Sequence, residues 1–197
     1  DDAFRTFHAM WWWKNPSFYP LPHWPPGTFW VYGLVNGLLN DGLLVPRLLT
    51  LALSLATIIW ILSDVEEPPG VRWSAAIWFA FSPLGLVLGT VPLSEALFLF
   101  LLTGGMVLLR RYLRAGSPWC LLGASTMYLL CTTVRYEGWA FVPMFLLLSL
   151  LRRSSGSSSL PTWALRLLPC VFPVIWVLLL WKVEARPLLF LGNVATN

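Results

Sequence analysis

The stretch WSAAIWFAFSPLGLVLGTVPLS, residues 73–94, contains no charged side chain, and it decides the fold class of this chain. A second uncharged run covers residues 115–134. The hydrocarbon core of a bilayer is about 30 Å thick and is crossed by about 20 residues of helix. Both runs reach that length, so they predict transmembrane helices and an all-α fold.

The composition agrees with a membrane location. Hydrophobic residues make up 57% of the 197 residues, charged residues only 11%, and the mean hydropathy is +0.70. A soluble domain of this length is far less apolar. The net charge of +4 comes from scattered basic residues, so we exclude nucleic acid as a partner. The three cysteines lie in apolar runs without metal-ligand spacing, which is typical of buried thiols.

Further apolar runs predict a polytopic transmembrane helical bundle of about six membrane helices. The candidate spans are residues 43–62, 73–92, 94–109, 119–135, 138–151 and 162–181. Residues 27–40 are too short and too rich in glycine for a span, and they predict a helix lying at the membrane interface. The predicted organisation is an outer first loop with short interfacial helices (1–41), transmembrane helices (42–181) and the start of a further outer loop (182–197).

Basic residues predict the orientation. Two arginine groups follow alternate spans and fall on one side with the loop SDVEEPPGVR: Arg110, Arg111 and Arg114, then Arg152 and Arg153. The positive-inside rule makes that side cytoplasmic. The opposite, outer face then receives the first loop, the turn at 92–95, the turn at 135–137 and the tail from Lys182. We therefore expect the polar chemistry on the outer face.

The chain starts on acidic residues, with no initiator Met and no signal-peptide pattern. We expect it to be the N-terminal membrane region of a longer protein, with a first membrane helix before Asp1. The abrupt stop at Asn197 indicates that the protein continues at the other end as well.

Two charged groups follow apolar runs, and each has two interpretations. Glu95 complements the dipole at the start of a helix, or it is a carboxylate in a polar cavity at the membrane edge. Arg135 and Glu137 extend to the interface beside Trp139, or Arg135 offers its fork of donors to a phosphate. Because both groups are expected on one face, the functional interpretation gains weight.

The first loop holds a third group. If DDAFRTFHAMWWW is helical, Asp1 and Asp2 share a short helix with Arg5 and His8, and the tryptophans lie among the lipid headgroups. Alternatively, this is only an acid-capped interfacial helix. His23 lies in the proline-rich stretch PLPHWPPGTFW, which is expected to be a loop. As a metal ligand it would need partners, for which His8, Asp1 and Asp2 are the candidates.

Five elements of the sequence, in order, resemble one enzyme class. They are DDAF (1–4), HWPPGTFW (23–30), LVPRLLTLAL (44–53), PLSEALFLFLL (92–102) and VRYEGW (134–139). This order is similar to that of the GT-C integral-membrane glycosyltransferases, in particular the branch with protein O-mannosyltransferases and the aminoarabinose transferase of lipid A. In that class an acidic pair opens the first outer loop, a proline-rich stretch follows, and acidic and basic outer turns come later.

The resemblance implies transfer of a sugar, such as a mannose-like hexose, from a polyprenyl-phosphate donor to a lipid, glycan or protein acceptor at the outer or luminal face. It implies that Asp1 is the candidate general base, with Asp2 as the alternative. It also implies positive charge on the leaving phosphate, for which Arg135, Arg5 or a cation near His23 are the candidates. The candidate catalytic residues are Asp1, Asp2 and Glu95, the candidate substrate-binding residues are Arg5, His8, Arg135 and Glu137, and the candidate metal ligand is His23. Some relatives have an acidic metal ligand at the position of His23, so a divalent metal ion stays an open alternative.

Such a transfer inverts the configuration at the anomeric carbon of the sugar. A carboxylate takes the proton of the acceptor hydroxyl while the phosphate leaves from the opposite face. The protein is then a multi-pass membrane protein in contact with membrane lipids, in the cell membrane of a prokaryote or the endoplasmic reticulum of a eukaryote. The alternative function is a polytopic transporter or lipid flippase, which predicts charges near the middle of the bilayer and an internal repeat.

Overall fold

The computed structural model describes residues 2–18, 24–39, 41–42, 44–91, 94–151 and 162–184, without the side chains of residues 2–6 and 184. All the secondary structure in these ranges is helical, which confirms the predicted all-α bundle. The helices are α1 (Asp2–Lys14), α2 (Gly27–Leu39), α3 (Leu44–Ser63), α4 (Pro69–Phe81), α5 (Pro83–Thr90), α6 (Ser94–Ala115), α7 (Pro118–Val134), α8 (Glu137–Leu151), α9 (Thr162–Leu167) and α10 (Val171–Glu184).

Three helical segments in the described part of the chain are long and apolar enough to cross a membrane: Leu44–Ser63, Ser94–Ala115 and Thr162–Val183. The last comprises α9, a short 3₁₀ turn and α10. Helices α4 and α5 make a fourth if the bent pair is one span. Helices α7 and α8, with 17 and 15 residues, are apolar but shorter. Length and composition therefore support three or four full spans, where the sequence predicted about six.

The uncharged run that decides the fold class is broken in its middle. Helices α4 and α5 meet at 63°, with Ser82 in an extended conformation between them. Pro83 has no N–H to continue the helix, and Ser82 Oγ accepts a hydrogen bond of 2.9 Å from the N–H of Gly85, which caps α5. The uncharged run therefore forms parts of two helices, although its composition predicts a single one.

Helix α6 lies at the centre of the bundle, between α3 and α7. Two adjacent glycines permit the close approach on its two sides. A Cβ on Gly104 would lie 2.7 Å from Trp60 Nε1 of α3, and a Cβ on Gly105 would lie 3.0 Å from the ring of Tyr128 of α7. Small residues at such contacts are typical of helix packing in membranes, where van der Waals contact replaces the hydrophobic effect.

Helix α3 turns its polar side chains inward and its apolar side chains outward. Thr50, Ser54 and Thr57 are buried along one face, and Ser54 Oγ donates to the carbonyl oxygen of Leu88 in α5 at 3.1 Å. The opposite face exposes large aliphatic side chains, among them Leu48, Leu55 and Ile59. A surface helix in water has the reverse arrangement, so α3 is suited to an apolar surrounding.

Both helices expected in the first loop are present. Helix α1 covers the stretch that opens the chain, and α2 covers nearly all of residues 27–40. The two pack together through glycines: a Cβ on Gly33 would lie 2.6 Å from the carbonyl oxygen of Ala9, and one on Gly37 would overlap the ring of Trp13. Most of the expected last outer loop, residues 185–197, lies outside the described residues.

Charged side chains collect at the two ends of the bundle. At the end that we call the Arg110 end, Arg110 pairs with Asp64 at 2.7 Å and with Glu67 at 2.6 Å, and Arg114 pairs with Glu66. This contact joins the end of α6 to the loop between α3 and α4, two segments that the sequence placed on one side. The opposite end holds the ion pairs of Arg135 and is called the Arg135 end.

The contact between α6 and α3 yields a stability prediction. Gly104→Leu should destabilise the fold by about 1–3 kcal/mol, because the new side chain must displace the Trp60 ring. Thermal unfolding of the purified protein in detergent measures the effect. Gly70→Leu is the matched control, since a Cβ there meets no atom within 4 Å. Equal unfolding temperatures for the two variants would show that the α3–α6 contact tolerates a larger spacing.

Candidate functional site

Two helix turns meet at the Arg135 end and form the candidate site. Ser94 is buried and begins α6, which places Glu95 in the first turn of that helix. Helix α7 stops before Arg135, whose backbone is extended (φ −147°, ψ 147°). Glu137 begins α8, so only Arg135 and Tyr136 separate the two helices. The three charged residues therefore come from helix termini, where backbone geometry fixes their positions.

Arg135 is bound by carboxylates on both sides. Its Nη2 and Nε donate to Glu137 Oε1 and Oε2 at 2.7 and 3.1 Å, a two-bond contact along one edge of the guanidinium. Its Nη1 donates to Glu95 Oε1 and, at 3.2 Å, to Ser94 Oγ. Two acids surround one base, so this group, which we call the Arg135 cluster, carries a net negative charge.

The three charged side chains of the Arg135 cluster differ in how much of each is exposed to solvent. The side chain of Arg135 is 24% exposed, that of Glu95 35% and that of Glu137 58%. The pKa of the Arg135 guanidinium, in the turn between α7 and α8, is raised above its usual value. The hydrogen bond to Glu137 is the main cause, and it outweighs the opposing effect of burial, with a further contribution from the charge of Glu95. Arg135 is thus held as a cation.

A cleft of about 250 Å³ opens beside the cluster. Its charged lining is the Arg135 cluster, and its apolar lining comes from α5 and α6: Leu84, Leu88, Phe98 and Leu99. A cation and two carboxylates thus stand next to a hydrocarbon wall. Such a cleft suits an amphipathic ligand with a polar head and an apolar chain.

Packing around the α7–α8 turn holds the cluster in place. A Cβ on Gly138 would lie 2.8 Å from the carbonyl oxygen of Cys131, so only glycine permits this close approach of α8 to α7. Trp139 Nε1 donates to the carbonyl oxygen of Thr132 at 3.0 Å. The start of α2 lies against the same turn, where a Cβ on Gly27 would lie 2.8 Å from the carbonyl oxygen of Thr133. The start of α2 therefore lies against the end of α7, next to the turn.

An aromatic group extends this packing to α10. Trp176 is fully buried, and its Nε1 donates to the hydroxyl of Tyr136 at 3.1 Å. Phe172 stacks on Trp176 with ring centroids 5.5 Å apart, and Phe18 packs near both rings. The turn that carries Arg135 is therefore packed against α10 through Tyr136, and Phe18 covers the same aromatic group.

The structure brings together three of the predicted site residues, Glu95, Arg135 and Glu137. His8 lies in α1, with its ring 5.8 Å from that of Phe7, and does not line the cleft. Asp2 and Arg5 also lie in α1, but their side chains are not described. Asp1 and His23 lie outside the described residues.

The described residues offer a poor fit for a divalent metal ion. They contain no group of three or more His, Cys, Asp or Glu side chains placed to hold one. The carboxylates of Glu95 and Glu137 instead bind Arg135. The predicted metal ligand His23 is not among these residues, so the metal hypothesis depends on the part of the first loop that is not described.

Sequence reasoning missed two features. The ion pairs at the Arg110 end had a usable signal, since arginines four residues apart on a helix share a face and the loop DVEE offers three acids. The apolar wall of the cleft had no such signal, because Leu84 and Leu88 resemble every other leucine in the chain.

No family model, curated protein or solved structure matches this chain.

The cluster yields a second stability prediction. Arg135→Ala should destabilise the protein by about 1–3 kcal/mol, because the half-buried carboxylate of Glu95 loses its cationic partner. Adding Glu95→Gln should restore part of this loss, since a neutral amide tolerates burial better. Thermal unfolding in detergent compares these variants with Arg47→Ala, which removes an exposed arginine of α3. Strictly additive losses in the double variant would contradict the pairing.

Proposed function

We propose that the chain belongs to a GT-C type membrane glycosyltransferase, which moves a mannose-like hexose or related sugar from a polyprenyl-phosphate donor to an acceptor at the outer or luminal face. One observation carries the proposal: the cleft combines an arginine fork with an apolar wall. A lipid-linked sugar phosphate has the matching parts, an anionic group and a long hydrocarbon chain. The acceptor is a lipid, a glycan or a protein.

The apolar lining supports binding of the polyprenyl chain. Leu84 and Leu88 lie on one turn of α5, and Phe98 and Leu99 lie on α6, so the wall runs along two helices. Hydrocarbon buried against such side chains gains roughly 25 cal/mol for each Å² removed from water. Arg135 in the same lining supplies donors for the phosphate, since an arginine binds phosphate with two parallel hydrogen bonds.

The chemistry of the transfer assigns the remaining roles. The acceptor hydroxyl gives its proton to the carboxylate of Asp1, the residue that the family resemblance implies as base, and Asp2 is its neighbour. The hydroxyl oxygen bonds to the anomeric carbon while the phosphate departs with the electrons of the broken C–O bond. Arg135 stabilises the charge on that phosphate, and Glu95 holds Arg135 in position through Nη1.

We place the protein in a membrane that it crosses several times, the cell membrane of a prokaryote or the endoplasmic reticulum of a eukaryote. Besides α3 with its outward leucines, three exposed tryptophans support this placement. Trp73, Trp119 and Trp163 lie near the starts of α4, α7 and α9, all at the Arg110 end. A ring of tryptophans at one level is typical of a membrane interface.

The bent pair α4–α5 favours a second function. Discontinuous helices are common in transporters, where the break helps to form the substrate site. The break at Ser82 carries no charged side chain, although the transporter hypothesis expects charges there. Proteoliposomes separate the two functions: the transferase attaches a radiolabelled sugar to an acceptor, whereas a flippase moves a fluorescent polyprenyl lipid between leaflets without transfer.

The transferase proposal makes a prediction about the base. In the full-length protein, Asp1→Asn should abolish sugar transfer while membrane insertion and donor binding persist, because the amide cannot accept the proton. Asp41→Asn is the matched control in the same loop. Asp41 Oδ1 accepts from the N–H of Leu44 at 2.9 Å as a helix cap, which asparagine replaces well. Activity retained by Asp1→Asn would remove this residue as the base.

Arg135 provides a separate test. Arg135→Ala should raise KM for the polyprenyl-phosphate donor more than tenfold and change KM for the acceptor little, because the fork contacts the donor phosphate. Arg135→Lys should recover part of the loss, since lysine retains the charge but not the paired geometry. A larger effect on the acceptor than on the donor would assign Arg135 to the acceptor side.

A further inference from the structure

All three side-chain nitrogens of Arg135 already donate hydrogen bonds within the protein. Glu137 takes the edge formed by Nε and Nη2, with one carboxylate oxygen on each nitrogen. A phosphate binds arginine through two parallel hydrogen bonds, and this edge is one of the two that offer such a pair of donors. The other edge includes Nη1, which Glu95 and Ser94 occupy. A phosphate and Glu137 therefore compete for the same two donors.

The two carboxylates of the cluster differ in how freely they can leave. Glu95 is the less exposed, and its Oε2 also accepts from Ser94 Oγ at 3.3 Å. The side chain of Glu137 is 58% exposed and stands at the first residue of α8, where it can rotate toward solvent. An exposed ion pair is worth only about 0.2–1 kcal/mol. The contact with Glu137 is the one that a ligand breaks at the lower cost.

We propose that Glu137 occupies the phosphate-binding edge of Arg135 in the ligand-free protein and is displaced by the phosphate of a lipid whose chain lies in the cleft. In this proposal the phosphate takes the place of the Glu137 carboxylate on Arg135, so Glu137 lowers the affinity for the ligand. The sequence had suggested instead that Glu137 binds the substrate. Glu95 and Ser94 keep their bonds to Nη1 during the exchange, so the guanidinium stays in position. The inference rests on the proposed function only in taking a lipid phosphate as the ligand.

Equilibrium binding of a fluorescent C55 polyprenyl phosphate to the full-length protein in detergent tests this directly. Glu137→Gln should bind the probe more tightly than wild type by up to about fivefold, the factor that corresponds to the upper end of the range for one exposed ion pair. The uncharged polyprenol should bind both proteins equally. Glu67→Gln is the control, because Glu67 also pairs with an arginine, Arg110 at the opposite end of the bundle, and lies away from the cleft. Weaker binding of polyprenyl phosphate to Glu137→Gln would overturn the proposal.

A double-variant cycle distinguishes competition from simple charge repulsion. In an Arg135→Ala background, Glu137→Gln should no longer tighten binding, because the contested donors are gone. A gain that persists there would mean that Glu137 only repels the phosphate, and the proposal would fall. Circular dichroism and size-exclusion chromatography confirm that each variant is folded before binding is measured.

Two further outcomes separate this inference from the proposed function. Inorganic phosphate as the probe should bind far more weakly than the lipid, and equal affinities would overturn the assignment of a lipid ligand. The binding measurement needs no sugar transfer. Tight binding that responds to Glu137→Gln in a protein without transferase activity would sink the transferase proposal and support the displacement of Glu137.

Discussion

The ion pair between Arg135 and Glu95 joins two turns that lie 40 residues apart in the chain, and the candidate site depends on it. In so apolar a chain, a charged group away from water must find a partner, because its transfer into hydrocarbon is costly. This requirement sets how the start of α6 stands against the end of α7. The same contact holds an arginine in the lining of the cleft, so one ion pair contributes both to helix packing and to the candidate site.

Between its charged ends, the bundle is held by close contacts of small residues. Gly104 and Gly105 let α6 approach α3 on one side and α7 on the other, and Ser54 bonds α3 to α5. The ion pairs of Arg110 tie the loop after α3 to the end of α6. Because α5 and α6 are fixed in this way, their leucine and phenylalanine side chains form a wall beside the Arg135 cluster.

The cleft joins an apolar wall to a charged group. Leucine and phenylalanine side chains line one part of it, and one arginine between two glutamates lines the other. Glu137 adds a second carboxylate to a cation that Glu95 already pairs. Under our proposal, an anionic ligand competes with Glu137 for Arg135, so both the headgroup and the chain contribute to binding.

The sequence by itself determined the helical class, the two helices of the first loop and the placement of Glu95 and Arg135 at turns. The lengths of the apolar runs and the residues that interrupt them are properties of short stretches of the chain, so they can be identified in the sequence alone. The sequence predicted about six membrane helices, and the described residues hold three or four of full spanning length and two shorter apolar ones. The Ser82–Pro83 break divides one predicted span, because proline interrupts a helix without adding charge to the run. Only the tertiary structure decided which leucines line the cleft and that Glu137 shares Arg135 with Glu95. Apolar side chains are interchangeable in sequence, and a salt bridge between distant turns is set by helix packing that no local signal encodes.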